Sequence, residues 1–140
     1  MNVRAFALAL GVAFGLIGIA GFVPGMTHSI HADAPPLVVS EGYGLVLGLF
    51  PVNILHNLVH LLFGVLGLAA YAGTFSAVSY ARIVAVSYGL LTVMGLIPGL
   101  NTTFGLVPIY GADVALHAVI AAVSAYFGFG VRASDAVRSS

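Results

Sequence analysis

Four long apolar runs dominate this chain, at about Ala5 to Val23, Pro51 to Ala72, Tyr80 to Ile97 and Ala112 to Val131. Each is close to the roughly 17–25 residues that a helix needs to cross the hydrocarbon of a bilayer. With 61% hydrophobic and only 6% charged residues, the chain has too few polar groups to cover a soluble globule. The runs leave no room for a separate soluble domain, so residues 1–140 are expected to form a single all-α, integral membrane four-helix bundle. The first run, one arginine followed by apolar residues, has the outline of a signal sequence. Its cleavage signal is weak, and it is read as a retained helix.

The runs are related in pairs. Gly48 to Leu61 (GLFPVNILHNLVHL) returns as Gly105 to Ala118 (GLVPIYGADVALHA), and Gly15 to Met26 (GLIGIAGFVPGM) returns as Gly89 to Leu100 (GLLTVMGLIPGL). Gly15/Gly89, Leu16/Leu90, Gly21/Gly95, Pro24/Pro98 and Gly25/Gly99 are identical, and His60 falls on His117. This internal repeat predicts two tandem helical hairpins, about 5–72 and 80–131, related by a pseudo-two-fold axis along the membrane normal. A polar insertion around His28 to Glu41 lengthens the first copy and is read as a loop. The Pro-Gly pairs at 24–25 and 98–99 mark helix ends, and Pro51 and Pro108 suit helix or turn starts.

Helices in lipid associate through close packing, so small residues at helical spacing mark contact faces. Gly11, Gly15 and Gly18 mark one on the first helix, Gly64 and Gly67 one on the second, and Ala118, Ala121, Ala122 and Ala125 one on the fourth. The tyrosines at 43, 71, 80, 88, 110 and 126 read mostly as an aromatic belt at span ends. The basic residues are Arg4, Arg82, Arg132 and Arg138. Four antiparallel helices put all of them on one side, which by the positive-inside rule is the cytoplasm, with both termini there and the Met26 to Gly48 segment outside. The absence of cysteine excludes disulfides and thiolate metal sites. Zero formal net charge without a basic cluster argues against nucleic acid.

Within the repeat, His56 falls on Asp113 as His60 falls on His117, so each copy carries two potential ligands four residues apart. Residues at that spacing share a helical face. Ionisable groups inside a membrane are expensive and mark function by default, which makes His56, His60, Asp113 and His117 the candidate site and Asn53 and Asn57 its hydrogen-bonding neighbours. Three imidazoles and a carboxylate suit Zn, Cu or Fe far better than calcium or magnesium. His60 and His117 alone could clamp a haem. The four groups could also simply hydrogen-bond one another and hold the bundle together. Asp113 has a further bland reading, as a complement to the positive end of its helix. His28 and His31 read as solvated loop residues. HNLVH, from His56 to His60, has the spacing of a zinc-protease helix, but Asn57 replaces the glutamate that would act as base, which argues against hydrolysis, and no serine is placed against a histidine by a recognisable motif.

GFVPG at 21–25, FPVNILHNLVHLLFGVLGL at 50–68 and ADVALH at 112–117 resemble a bacterial four-transmembrane-helix family known only as a domain of unknown function (family four-three-eight-three). The resemblance covers nearly the whole chain. It implies the same four-helix topology and singles out Asn53, His56, Asn57, His60, Asp113 and His117, but supplies no activity. The resulting expectation is a bacterial inner-membrane protein with an intramembrane His/Asp cluster that binds a cofactor or has a structural role. The alternative is an accessory subunit of a larger membrane complex, or a homo-oligomer.

Overall fold

The computed structural model describes residues 1–130. Four helices form there: α1 (Val3–Ala20), α2 (Ile54–Ala72), α3 (Ala77–Leu96) and α4 (Ala112–Ala125), the last continued by a π-helical turn, Tyr126–Gly130. All four, with the π turn extending α4, are long and apolar enough to cross a membrane. Three begin on a side-chain cap. Asn2 accepts from the Ala5 N–H, Asn53 from that of His56 and Ser76 from that of Ser79, each replacing a partner that a helix start lacks and contributing about 1 kcal/mol. α4 starts at Gly111 without such a bond. Gly73 ends α2 in the left-handed region, φ 85°, and so turns the chain directly into α3.

The glycines of α1 and α2 meet as expected. A Cβ on Gly67 would lie 2.7 Å from Gly11 Cα and 2.8 Å from the Ala7 carbonyl oxygen, and one on Gly64 would lie 2.9 Å from Gly15 N. These two helices therefore touch backbone to backbone. α3 and α4 are the other closely packed pair. Their contact mixes side chain and backbone, because Gly95 receives the Val114 and Ile109 side chains, and Gly128 lies against both the stem of Arg82 and the backbone of Ala81 and Arg82. The alanine face of α4 is only partly used: Ala121 and Ala125 are half-buried, whereas Ala118 and Ala122 are exposed.

The four helices converge at the arginine end. Val3, Phe6, Ala7, Ala70, Tyr80, Ala81, Val84 and Phe127 are buried together there, with the Phe6 and Phe127 rings stacked at 4.4 Å. Arg4 donates to the Tyr71 carbonyl at the end of α2, through Nη2 at 2.6 Å and Nε at 3.2 Å. Arg82 donates through Nε to the Gly128 carbonyl in the π turn at 2.7 Å. Both guanidinium groups thus sit where a helix end carries negative charge. Arg132 and Arg138 lie outside the described residues.

The opposite end corrects the sequence reading. The strands flank the insertion, which is itself without strand from 29 to 41: β1 (Thr27–His28), β2 (Gly44–Val46) and β3 (Phe50–Val52) form an antiparallel sheet in that order, with Leu45 opposite Pro51, where the sequence alone predicts loop in the Met26 to Gly48 segment and helix at the start of the second run. Pro51 is accordingly a buried strand residue and not a helix start. α2 begins three residues later because Asn53 provides the cap. α1 likewise stops at Ala20, short of Pro24. The segment after β1 pairs with the second half of the chain: the Val38 and Val39 N–H groups donate to the Gly105 carbonyl at 2.8 and 3.1 Å.

Candidate functional site

α2 and α4 both start beneath this cap, which sets their first turns side by side. Asn53, at 0% exposure, does three things there. Its Oδ1 caps α2, and its Nδ2 donates to the Val39 carbonyl at 2.8 Å and to the Leu106 carbonyl at 2.7 Å. It is a fastener between the helix and both covering loops, and it bonds no imidazole. Beside it, the Tyr43 and Tyr110 hydroxyls share a hydrogen bond of 2.8 Å, again across the two halves. Burial and that bond hold the Tyr43 phenol above the ordinary tyrosine range.

One turn inward, His56, Asp113 and His117 are 2%, 2% and 1% exposed, and one ligand atom from each lies within 4.8 Å of the others. Their first contacts are local. The His56 Nδ1–H donates to the Pro51 carbonyl at 3.0 Å. The His117 Nδ1–H donates to the Asp113 backbone carbonyl at 2.8 Å, with the Asp113 Oδ2 at 3.2 Å from the same nitrogen. That second approach lacks hydrogen-bond alignment, and Oδ2 has no partner. Both imidazoles therefore use Nδ1 on the backbone, which assigns the proton to Nδ1 and leaves Nε2 as the lone-pair nitrogen, the pattern by which a backbone carbonyl orients a ligating histidine.

The other expected residues fall around this triad. The His60 ring sits 4.4 Å from that of His56 but outside the close group of three, 7% exposed and with Nδ1 unpartnered. Asn57 is buried with neither amide atom hydrogen-bonded. It packs directly against Gly21, where a side chain would collide with it. It is a packing residue of α1 and α2 that orients no histidine.

Two aromatic neighbours of these residues escaped the sequence reading. Tyr88 is 1% exposed and stacks on His117 at 4.7 Å, so it is no belt residue, and neither is buried Tyr80, whose hydroxyl donates to the Phe63 carbonyl at 3.1 Å. Phe14 stacks on His60 at 5.8 Å and on Tyr88 at 5.2 Å. A signal was available: Phe14 and Tyr88 immediately precede Gly15 and Gly89, so the repeat superimposes them just as it superimposes His60 and His117.

The hairpins part at this level. α1 and α4 scarcely touch one another, and the interval between them is a cavity of about 350 Å³ walled by Leu10, Phe14, Tyr88 and Ile120, with His60, Asp113 and His117 on its surface.

Residues 4–130 match the family model described as domain of unknown function DUF4383, and the chain belongs to that family. No curated protein and no solved structure matches it.

Proposed function

We propose that this is a bacterial inner-membrane protein that holds one transition-metal ion inside the bilayer through His56, Asp113 and His117, with His60 as a neighbouring donor. The observation that carries the reading is the orphaned donor set. His56 on α2 and Asp113 and His117 on α4 bring one ligand atom each within 4.8 Å of the others, all three are buried, and Asp113 Oδ2 has no hydrogen-bond partner. Unpaired polar groups at such depth cost free energy that a cation would recover. Ligands about 2.0–2.2 Å from an ion sit roughly 3.4 Å apart on a tetrahedron, so small side-chain rotations would close the group. Nitrogen and oxygen donors favour Zn, Cu or Fe over calcium or magnesium. A cavity of about 350 Å³ is small for a tetrapyrrole, which disfavours haem.

Metal analysis of protein purified in mild detergent and loaded separately with Zn, Cu and Fe tests this. About one ion per chain is expected, reduced at least about 100-fold in affinity by His56→Ala, Asp113→Asn or His117→Ala, since even an outer partner costs 10–100-fold. Equal ion content in wild type and variants would overturn it.

The duplicated arrangement belongs to the same proposal. Superimposed positions make matching contacts: Phe14 on His60 and Tyr88 on His117, and Gly21 on Asn57 and Gly95 on Val114, while the superimposed Tyr71 and Gly128 carbonyls each accept from an arginine, Arg4 and Arg82, that the repeat does not align. A pseudo-two-fold axis near the membrane normal accounts for these pairs, with both termini cytoplasmic. Reporters inserted at Gly73 and after Ser140 should then report the same, cytoplasmic side, and opposite sides would rule the arrangement out.

A further inference from the structure

Two matched turns depart from a local rule. The repeat superimposes residues 46–49 on residues 103–106. Each turn closes by the same bond, the Leu49 N–H donating to the Val46 carbonyl at 3.1 Å and the Leu106 N–H to the Thr103 carbonyl at 3.2 Å. Both central residues of each have positive φ, Leu47 55° and Gly48 70° in the first, Phe104 61° and Gly105 84° in the second. A turn with two such residues ordinarily carries Asn, Asp or Gly at the first of them, because a larger side chain crowds the backbone there. Leucine and phenylalanine hold the position instead, 58% and 72% exposed, and Leu49 and Leu106 beside them are exposed as well. A strained backbone that displays large apolar side chains points to a surface that receives them.

We propose that these turns are paired lipid anchors, inserted at the boundary of headgroups and acyl chains in the leaflet at the sheet end, one from each half of the chain. Position, surface and charge all favour lipid as the occupant. The sheet does not stand above the bundle: Val46 and Val52 pack with Ala20 in the last turn of α1, so the first turn leaves the sheet at the level where that helix ends. Both turns extend apolar helix faces. Exposed Ile19 on α1 leads through Phe22 to Met26, whose carbonyl accepts from the Leu47 N–H at 3.4 Å. Exposed Leu96 on α3 leads through Ile97, whose carbonyl accepts from the Asn101 N–H at 3.2 Å, to Phe104. No Asp, Glu, Lys or Arg occurs in residues 5–32, 42–55 or 83–112. A bilayer surrounds the molecule and meets both halves alike, which accounts for the turn's recurrence at superimposed positions. A partner protein on one side accounts for one turn only. The turns stay at the boundary because their remaining backbone groups would go unpaired deeper in the hydrocarbon.

The chain contains no tryptophan, so single substitutions report their own surroundings. Leu47→Trp, Phe104→Trp and, for reference, Ala32→Trp at an exposed position of the 29–41 stretch are compared in phosphatidylcholine nanodiscs. Acrylamide is the aqueous quencher, and lipid brominated either near the headgroup or near the chain end is the membrane quencher. Both turn variants should emit at shorter wavelength than Ala32→Trp, resist acrylamide several-fold better, and be quenched most by the lipid brominated near the headgroup. Leu49→Trp and Leu106→Trp, outside the positive-φ positions, should give the same result and keep the test intact if the first pair does not fold. Acrylamide quenching equal to that of Ala32→Trp would place the turns in water. Protection from both quenchers would place them against protein, and lipid quenching of one turn alone would break the pair. Any of these three results overturns the proposal.

Discussion

The two hairpins solve the same packing problem with different residues. In α1–α2, Gly11, Gly64 and Gly67 bring backbones into contact, while Gly18 and Gly21 receive the side chains of Leu61 and Asn57. In α3–α4, the positions superimposed by the repeat carry bulk: Gly95 receives Val114 where Gly21 receives Asn57, and Tyr88 stands where Phe14 does. α2 has a side-chain cap and α4 has none. The first hairpin also carries the sheet. One hairpin is built mainly for rigidity, therefore, and the other contributes the carboxylate. A tightly closed scaffold on one side lets the second present Asp113 and His117 at a fixed distance from His56. Where the two sequence segments match, His56 in one hairpin faces Asp113 in the other, so the buried cluster is asymmetric.

Glycine substitutions should separate the two designs most sharply. Gly67→Val puts new atoms into the backbone of α1 and should destabilise the bundle by about 3 kcal/mol, the upper range of overpacking. Gly89→Ala, where a Cβ meets nothing within 4 Å, should be neutral or stabilise by up to about 1 kcal/mol through helix propensity. Thermal unfolding in one detergent compares them directly. Equal melting temperatures would mean that the α1–α2 contact is not the rigid half. A smaller effect is expected at the arginine end, where Arg4→Gln and Arg82→Gln each remove a charge from a helix terminus. Each should cost about 0.5–1 kcal/mol, with additive losses in the double variant because the two sites lie on separate helix ends. A large loss from one and none from the other would break the correspondence between hairpins at that level.

Much of this architecture was legible in the residues. The four spans follow from hydropathy and length, and the α1–α2 interface from glycine spacing, because both depend on local pattern alone. His56, Asp113 and His117 emerged from the repeat together with helical periodicity. What stayed hidden depends on partners distant in sequence. The sheet consists of strands of two or three residues whose pairing is set by burial against α1 and α2, and so leaves little periodic trace. Pro51 looked like a helix start because prolines suit both settings. Tyr88 looked interfacial because tyrosine is usually found there, and only its stacking on His117 places it at the centre. His60 and His56 share one helix face, yet the path of α4 decides which of them joins the triad.

Asn53 carries a consequence for the order of assembly. Its amide bonds the carbonyl of Leu106, 53 residues further along the chain. When α2 first enters the bilayer during synthesis, that carbonyl has not yet been made, and the start of the helix holds a buried donor lacking one of its partners. The cap is completed only after α3 has crossed and the segment before α4 has folded over it. Closure of the sheet end, and with it the sealing of the histidines from water, is thus timed by arrival of the last helix. In the completed fold His56, Asp113 and His117 are each no more than 2% exposed.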